Sequence, residues 1–254
     1  MFHIRHEQLR TLEQAPQDAF DVFMVEHIGV HFPQHLMLFG EKTIRDVIQA
    51  GRERGEIWRF RTKHQLCLYI DMMIMLGAGF DSDPQLPWAA AILRDQSITH
   101  PTTRIDRVYT EAMAYLDRVV GPKEVFPVSA YRRLALSSLD KVLAPWSMSN
   151  AMAAVTALFS ELWPEKLLEL GDGGLASLTM AARAMATNRG ITSISHVGVY
   201  ATLMFMFGYS FDSDPMFPMT AAAAADQPGR APEAGVEQVY GEAVRLINQI
   251  LKVN

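Results

Sequence analysis

One stretch of this sequence occurs twice, and the repetition limits the folds that the chain can adopt. The first copy, YIDMMIMLGAGFDSDPQLPW, runs over Tyr69–Trp88, and the second, YATLMFMFGYSFDSDPMFPM, runs over Tyr200–Met219. In every matching pair, the two residues are as far apart in the sequence as Tyr69 and Tyr200 are. We call this constant separation the repeat offset. One constant separation over so long a stretch indicates a tandem duplication.

Each copy has the composition of a corner between two helices. A glycine stands where a helix needs a residue that tolerates positive φ, so it is predicted to end that helix. Aspartates in the following turn can accept hydrogen bonds from backbone amides, and Asp83 before Pro84 is typical of an N-cap. We predict a structural motif made of Gly77, Phe80, Asp81, Asp83 and Pro84, and of Gly208, Phe211, Asp212, Asp214 and Pro215.

The periodicity of the rest of the chain predicts an all-α fold of two tandem, pseudo-symmetric helical repeats. Apolar residues recur at helical spacing, and no stretch alternates with the period of a strand. The break at Gly121-Pro122 places repeat 1 at 1–121 and repeat 2 at 128–254. A twofold relation and a side-by-side translation of the repeats both stay open. The predicted helices are Ile4–Gln14, Pro16–His31, Glu41–Arg54, Thr62–Leu76, Leu86–Leu93, Ile105–Val120, Gly173–Asn188 and Val236–Val253, with a mobile loop at Ala221–Gly235.

Composition limits the classes of function. The 254 residues are 49% hydrophobic, enough for one large core or two small ones. The net charge of −5 gives no overall attraction to nucleic acid or to an acidic membrane. The N-terminus lacks the apolar segment of a secretory signal, and Gly190–Phe211 is predicted to be a buried helix instead of a membrane span. With a single cysteine, Cys67, these observations favour a cytoplasmic protein.

Two kinds of metal site are conceivable from the sequence. His27 and His31 are spaced i, i+4, with His35 beyond Pro33, and such a pair can bind zinc. The positions one repeat offset later are Leu158, Leu162 and Lys166, and no further ligands follow in the sequence, so a solvated polar face is favoured. The paired aspartates lack the glycine and the glutamate that a calcium loop requires. We predict no metal site and no cofactor.

No catalytic constellation emerges from the sequence. Cys67 lies in an apolar helix, which favours a packed core cysteine over a nucleophile. The segment GDGG at Gly171–Gly174 lacks the lysine and hydroxyl residue of a phosphate-binding loop. An enzyme that uses the FDSDP aspartates is kept as a minor alternative, and no catalytic residue is assigned.

The surfaces of the two halves differ in charge. Residues 45–63 contain six basic side chains with two aromatic ones interleaved, and we predict a protein-binding patch there, since Arg and Trp are frequent interface anchors. The patch consists of Arg52, Arg54, Trp58, Arg59 and Arg61. Gly173–Phe211 carries just two basic residues, Arg183 and Arg189, before the aspartates of the second corner, so this part must be covered by the other repeat or by another chain.

The motif resembles a family of small bacterial proteins encoded beside VgrG, PAAR and other type VI secretion effector genes. The first half carries the pattern well and the second half in part. The matching residues are Phe32–Gln34, Phe39, Gly40, Tyr69–Met73, Gly77, Phe80–Pro84 and Pro87–Ala89, then Trp163–Glu165, Gly171, Gly208 and Phe211–Pro215, with Met219 in place of Trp88. The resemblance implies an accessory role in effector handling and no defined chemistry.

We therefore expect a non-enzymatic adaptor or co-chaperone that binds a type VI effector or its VgrG or PAAR carrier. The main alternative is an immunity protein that blocks a toxin, since such proteins are often acidic. A homo-oligomer is compatible with either role.

Overall fold

The computed structural model describes residues 6–143, 146, 147, 149–218 and 231–253, and this part of the chain is all-α, with no strand. The helices of the first half are α1 His6–His31, α2 Pro33–Ile57, α3 Lys63–Leu76, α4 Pro87–Arg94 and α5 Pro101–Val120. Those of the second are α6 Val125–Leu136, α7 Leu139–Leu143, α8 Ala151–Leu162, α9 Pro164–Asn188, α10 Ile194–Phe207 and α11 Pro232–Val253. None of the described helices is both long and apolar enough to cross a membrane.

Two pairs of helices keep the repeat offset at both ends. The bounds of α2 and α9 differ by this offset, and so do those of α3 and α10. Both long helices also kink at a glycine with positive φ, Gly40 in α2 (75°) and Gly171 in α9 (62°). These agreements support a duplication, while pseudo-symmetry of the complete halves stays a prediction.

Two predicted helix bounds were wrong, at Pro16 and at the start of α5. Pro16 lies inside the continuous helix α1, so Ile4–Gln14 is not a separate helix. Gly40 has non-helical φ and ψ of 75° and 160° within α2, which agrees with the predicted start at Glu41, whereas α5 begins at Pro101 instead of Ile105. Most of the predicted loop Ala221–Gly235 lies outside the described residues, and its end forms the first turn of α11.

Both halves contribute to one hydrophobic core. A single cluster of buried side chains extends from Met24 in α1 to Ile247 in α11. The indole nitrogen of Trp163 donates a hydrogen bond to the carbonyl of Val119 across the predicted boundary, at 2.9 Å. The chain passes between the halves through Gly121 and a short 3₁₀ turn, Pro122–Glu124. The halves therefore share their core, with α3 and α10 in its middle.

Candidate functional site

The two FDSDP corners meet in the middle of the protein and bond to each other. The backbone amide of Tyr209 donates to Asp83 Oδ2 at 2.9 Å, and the backbone amide of Ala78 donates to Asp214 Oδ2 at 2.7 Å. Each aspartate thus accepts an amide from the opposite corner. Their other oxygens accept amides of their own turns, from Gln85 and Met216.

The contact between the corners is close because both contain glycine. Gly77 and Gly208 end α3 and α10 at φ of 96° and 97°, which confirms the prediction that each stops a helix. A Cβ atom on Gly77 would lie 3.2 Å from the carbonyl oxygen of Phe207, and one on Gly208 would lie 3.2 Å from that of Leu76. The backbones could not approach so closely with larger residues.

The other two aspartates accept hydrogen bonds from side chains. Asp81 accepts from the Tyr69 hydroxyl at 2.6 Å, from the Trp58 indole at 2.9 Å and from the Arg54 guanidinium. Asp212 accepts from the Tyr200 hydroxyl and, at 2.5 Å, from Arg189. By the repeat offset Arg189 corresponds to Trp58, so the cation beside each aspartate comes from a different position in each half.

The prediction that Asp83 caps a helix was wrong. Helix α4 begins at Pro87 with Leu86 at its N-cap position, and Asp83 instead closes a turn by accepting the Gln85 amide at 2.8 Å. Burial raises the pKa of Asp83, and it raises the pKa of Asp214 to about 6. All four carboxylates are therefore engaged by the fold, as the structural interpretation of the motif requires.

The basic patch of the first half is only partly available to a partner. Arg54 and Trp58 bind Asp81, and Arg52 lies 3.4 Å from Asp21. Arg59 and Arg61 are exposed. The sequence could not separate these groups, because Asp81 and Asp21 are distant from them along the chain.

A cavity of about 420 Å³ lies beside the corners, lined by residues from both halves. At its polar side the Lys166 ammonium donates to the carbonyl oxygen of Phe205, in the last turn of α10, at 2.5 Å. Burial lowers the pKa of Lys166 to about 8. Gln85 spans from Asp83 to the carbonyl of Met204. Lys166 thus fixes the end of α10, and Asp83 fixes the two corner turns, on the polar side of the cavity. The rest of the cavity lining is mainly apolar.

His27, Cys67 and Asp71 form a separate cluster between α1 and α3. Their ligand atoms all lie within 4.8 Å of one another. His27 is not on a solvated face as expected, since its Nε2 atom bonds to both oxygens of Asp71. Cys67 is half-buried, and burial raises the pKa of its thiol to about 12. The sequence missed this cluster because α1 and α3 meet only in the fold.

The adjacent helices α8 and α9 present an exposed outer face with few charges. Helix α8 carries one charged residue, Glu161, which pairs with Lys141. Arg183 is the one charged residue of α9 after Asp172. A contact of 3.7 Å between Thr179 and the Met152 sulfur links the two helices. We name this surface the α8–α9 face; its exposed residues include Met152, Thr156, Ser177, Met180 and Ala184.

Comparisons with known proteins found no match. No family model matches the chain, and no curated protein and no solved structure matches it.

Proposed function

We propose that this protein is a non-enzymatic adaptor that binds another protein through the α8–α9 face. By the resemblance of its corner motif, the partner is a type VI effector or the VgrG or PAAR protein that carries it. The observation that carries the proposal is the small number of charges on this exposed face, compared with the corresponding surface of the first half.

Helix α2 corresponds to α9 and has the surface of a solvated helix. Its outer side chains form pairs one turn apart, in which Lys42 binds Asp46 at 3.0 Å and Arg45 binds Glu41 at 2.7 Å. On α9 the positions that correspond to Lys42 and Asp46 hold Gly173 and Ser177. These two positions are therefore uncharged on α9, while Asp172 and Arg183 keep a charge at the positions that correspond to Glu41 and Arg52.

Large apolar side chains are exposed on the α8–α9 face. Met180 is 73% exposed and Met152 is 47% exposed. Methionine is enriched at protein interfaces, where charged residues are depleted from the buried centre. Its flexible side chain also adapts to the surface of a partner. The composition of the face therefore favours contact with protein.

The arrangement of the aspartates favours a binding protein over an enzyme that would use them. A general acid or base must reach a substrate proton within hydrogen-bond distance. Asp83 and Asp214 are at most 3% exposed, and both accept backbone amides that hold the corners together. The positions of Asp83 and Asp214 are therefore explained by the hydrogen bonds that stabilise the fold.

The experiment compares two substitutions at corresponding positions. Met180→Glu places a charge in the α8–α9 face, and Gln49→Glu, at the matching position of the first half, places the same charge on the already charged surface of α2. Each variant is co-expressed with the products of the neighbouring genes and purified by a tag on this chain. We expect the wild type and Gln49→Glu to retain an effector, VgrG or PAAR protein, and Met180→Glu to lose it.

Equal recovery by Met180→Glu would contradict the proposed face. Failure of the wild type to retain any of these proteins, together with protection of cells from a neighbouring toxin, would replace the adaptor by an immunity protein. Circular dichroism melting curves check that both variants fold, and since both sites are on the surface, the melting temperatures should match that of the wild type.

A further inference from the structure

Two pairs of potential metal ligands face each other across helices α1 and α3. His27 and His31 are one turn apart on α1, and Cys67 and Asp71 are one turn apart on α3. Residues spaced i, i+4 lie on one side of a helix. The rings of His27 and His31 are 4.5 Å apart between centroids. Four side chains of the kinds that bind metals therefore point toward one region.

The distances within the cluster are close to those of a tetrahedral zinc site. Zinc bonds of about 2.0 Å to nitrogen or oxygen and about 2.3 Å to sulfur separate neighbouring ligand atoms by roughly 3.3 to 3.6 Å. His27 Nε2 lies 3.0 Å from Asp71 Oδ1 and 3.5 Å from Cys67 Sγ. Cys67 Sγ lies 3.9 Å from Asp71 Oδ2. Shifts of a few tenths of an ångström would place all three around one ion.

The same distances argue against a catalytic triad. In a triad the carboxylate holds one nitrogen of the histidine while the nucleophile faces the other. Here both Asp71 and Cys67 approach Nε2 of His27. Ligand atoms that converge on one point are the arrangement of a metal site.

The second half shows that the fold does not need this cluster. The residues one repeat offset after the four side chains are Leu158, Leu162, Gly198 and Thr202, none of which is a histidine, cysteine or carboxylate. Helices α8 and α10 nevertheless pack against each other, with Leu158 and Thr202 buried. Packing alone thus gives no reason for a half-buried group of His, Cys and Asp between α1 and α3.

We propose that His27, Cys67 and Asp71 bind a zinc ion, with the fourth position facing solvent beside His31. Imidazole, thiolate and carboxylate are all zinc ligands, whereas calcium and magnesium prefer oxygen alone. The ion accepts a lone pair from each ligand and displaces the thiol proton of Cys67 to solvent, with no change of oxidation state. His27 and Asp71 keep 17% and 11% of their side chains exposed, so an ion can enter.

The test uses cobalt(II) as a spectroscopic substitute for zinc on the full chain. We expect one cobalt ion per chain, a thiolate-to-cobalt absorption band in the near ultraviolet, and loss of that band when one equivalent of zinc is added. Zinc should also raise the melting temperature, because it binds the folded state. Cys67→Ser should abolish the band. Asp71→Thr, which introduces the residue found at position 202, should weaken zinc binding by at least about tenfold.

His64→Gln is the matched control. It removes another histidine bound to an aspartate, since His64 lies 2.9 Å from Asp106, but no thiol belongs to that exposed pair. This variant should bind cobalt and zinc as the wild type does. A wild type that takes up no cobalt, or Cys67→Ser and Asp71→Thr variants that bind zinc as tightly as the wild type, would overturn the proposal.

Discussion

Asp83 and Asp214 each hold the opposite corner: Asp83 accepts the amide of Tyr209 at 2.9 Å, and Asp214 accepts the amide of Ala78 at 2.7 Å. These reciprocal bonds join residues 126 and 136 positions apart. They explain why both corners carry an aspartate before proline although neither aspartate caps a helix. The repeated motif is a contact between the halves as well as a turn within each.

We expect Asp83→Asn and Asp214→Asn each to lower the free energy of unfolding by about 1–3 kcal/mol. Each carboxylate accepts one backbone amide on each of its two oxygens, whereas asparagine has a single acceptor oxygen, so one buried amide loses its partner. Because the aspartates serve one contact, the double variant should lose less than the sum of the two. Urea unfolding measures both effects. Asp95→Asn is the control, because Asp95 closes a similar but exposed turn by accepting the Ser97 amide at 2.8 Å. An equal loss in Asp95→Asn would contradict the role of the inter-corner bonds.

A second prediction separates backbone strain from close approach at the corner. Gly77→Ala and Gly171→Ala both place alanine at positive φ with an extended ψ, a region essentially restricted to glycine, which costs about 1–3 kcal/mol. Nothing lies within 4 Å of a Cβ on Gly171, whereas one on Gly77 meets the Phe207 carbonyl at 3.2 Å. Thermal unfolding should therefore show a larger loss for Gly77→Ala. Equal losses would mean that the corners can separate without cost.

The third prediction concerns Arg54, which the sequence placed in a binding patch. Replacing it by methionine, the residue at the corresponding position 185, removes the guanidinium beside the buried Asp81. We expect a loss of about 2 kcal/mol in urea unfolding. Arg61→Met, at an exposed arginine nearby, should change stability by less than about 0.5 kcal/mol. If Arg54→Met were as stable as the wild type but bound the partner poorly, the patch would be the binding surface instead.

The fourth prediction follows from Asp214, whose pKa burial raises to about 6 from an ordinary value of 3.8. Below about pH 6 the folded state binds a proton that the unfolded state does not take up until about pH 4, so stability rises as pH falls through 6. The difference in unfolding free energy between the wild type and Asp214→Asn should grow by about 1 kcal/mol from pH 7 to pH 5. Urea titrations at the two values measure it. A constant difference would mean that Asp214 does not titrate in this range.

Sequence patterns predicted the parts of this fold that depend on local chemistry. Gly77 and Gly208 end their helices as expected, because positive φ is a local requirement that glycine meets. The repeat offset predicted matching helices, and the bounds of α3 and α10 agree with it. Gly40 has non-helical φ and ψ, so the segment predicted to begin at Glu41 does begin there, while the helical residues from Pro33 onwards were not predicted.

The side-chain contacts that define the candidate sites could not be predicted from the sequence, because the contacting residues are distant from each other along the chain. The sequence pattern indicated that Trp58 and Arg54 are surface anchors, but in the fold both bind Asp81. His27 was recognised as a potential ligand, but Cys67 and Asp71 lie 40 and 44 residues away. Their i, i+4 spacing on a second helix was the signal that could have found them.

Oxidative footprinting of methionines tests the proposed binding face most directly. Met180 on the α8–α9 face is 73% exposed and Met37 on α2 is 69% exposed, so the free protein should oxidise both at similar rates. The measurement is the fraction of sulfoxide at each methionine, by mass spectrometry, with and without the co-purified partner. The partner should protect Met180 from oxidation and leave the oxidation of Met37 unchanged. Unchanged oxidation of Met180 in the complex would contradict the proposed binding face.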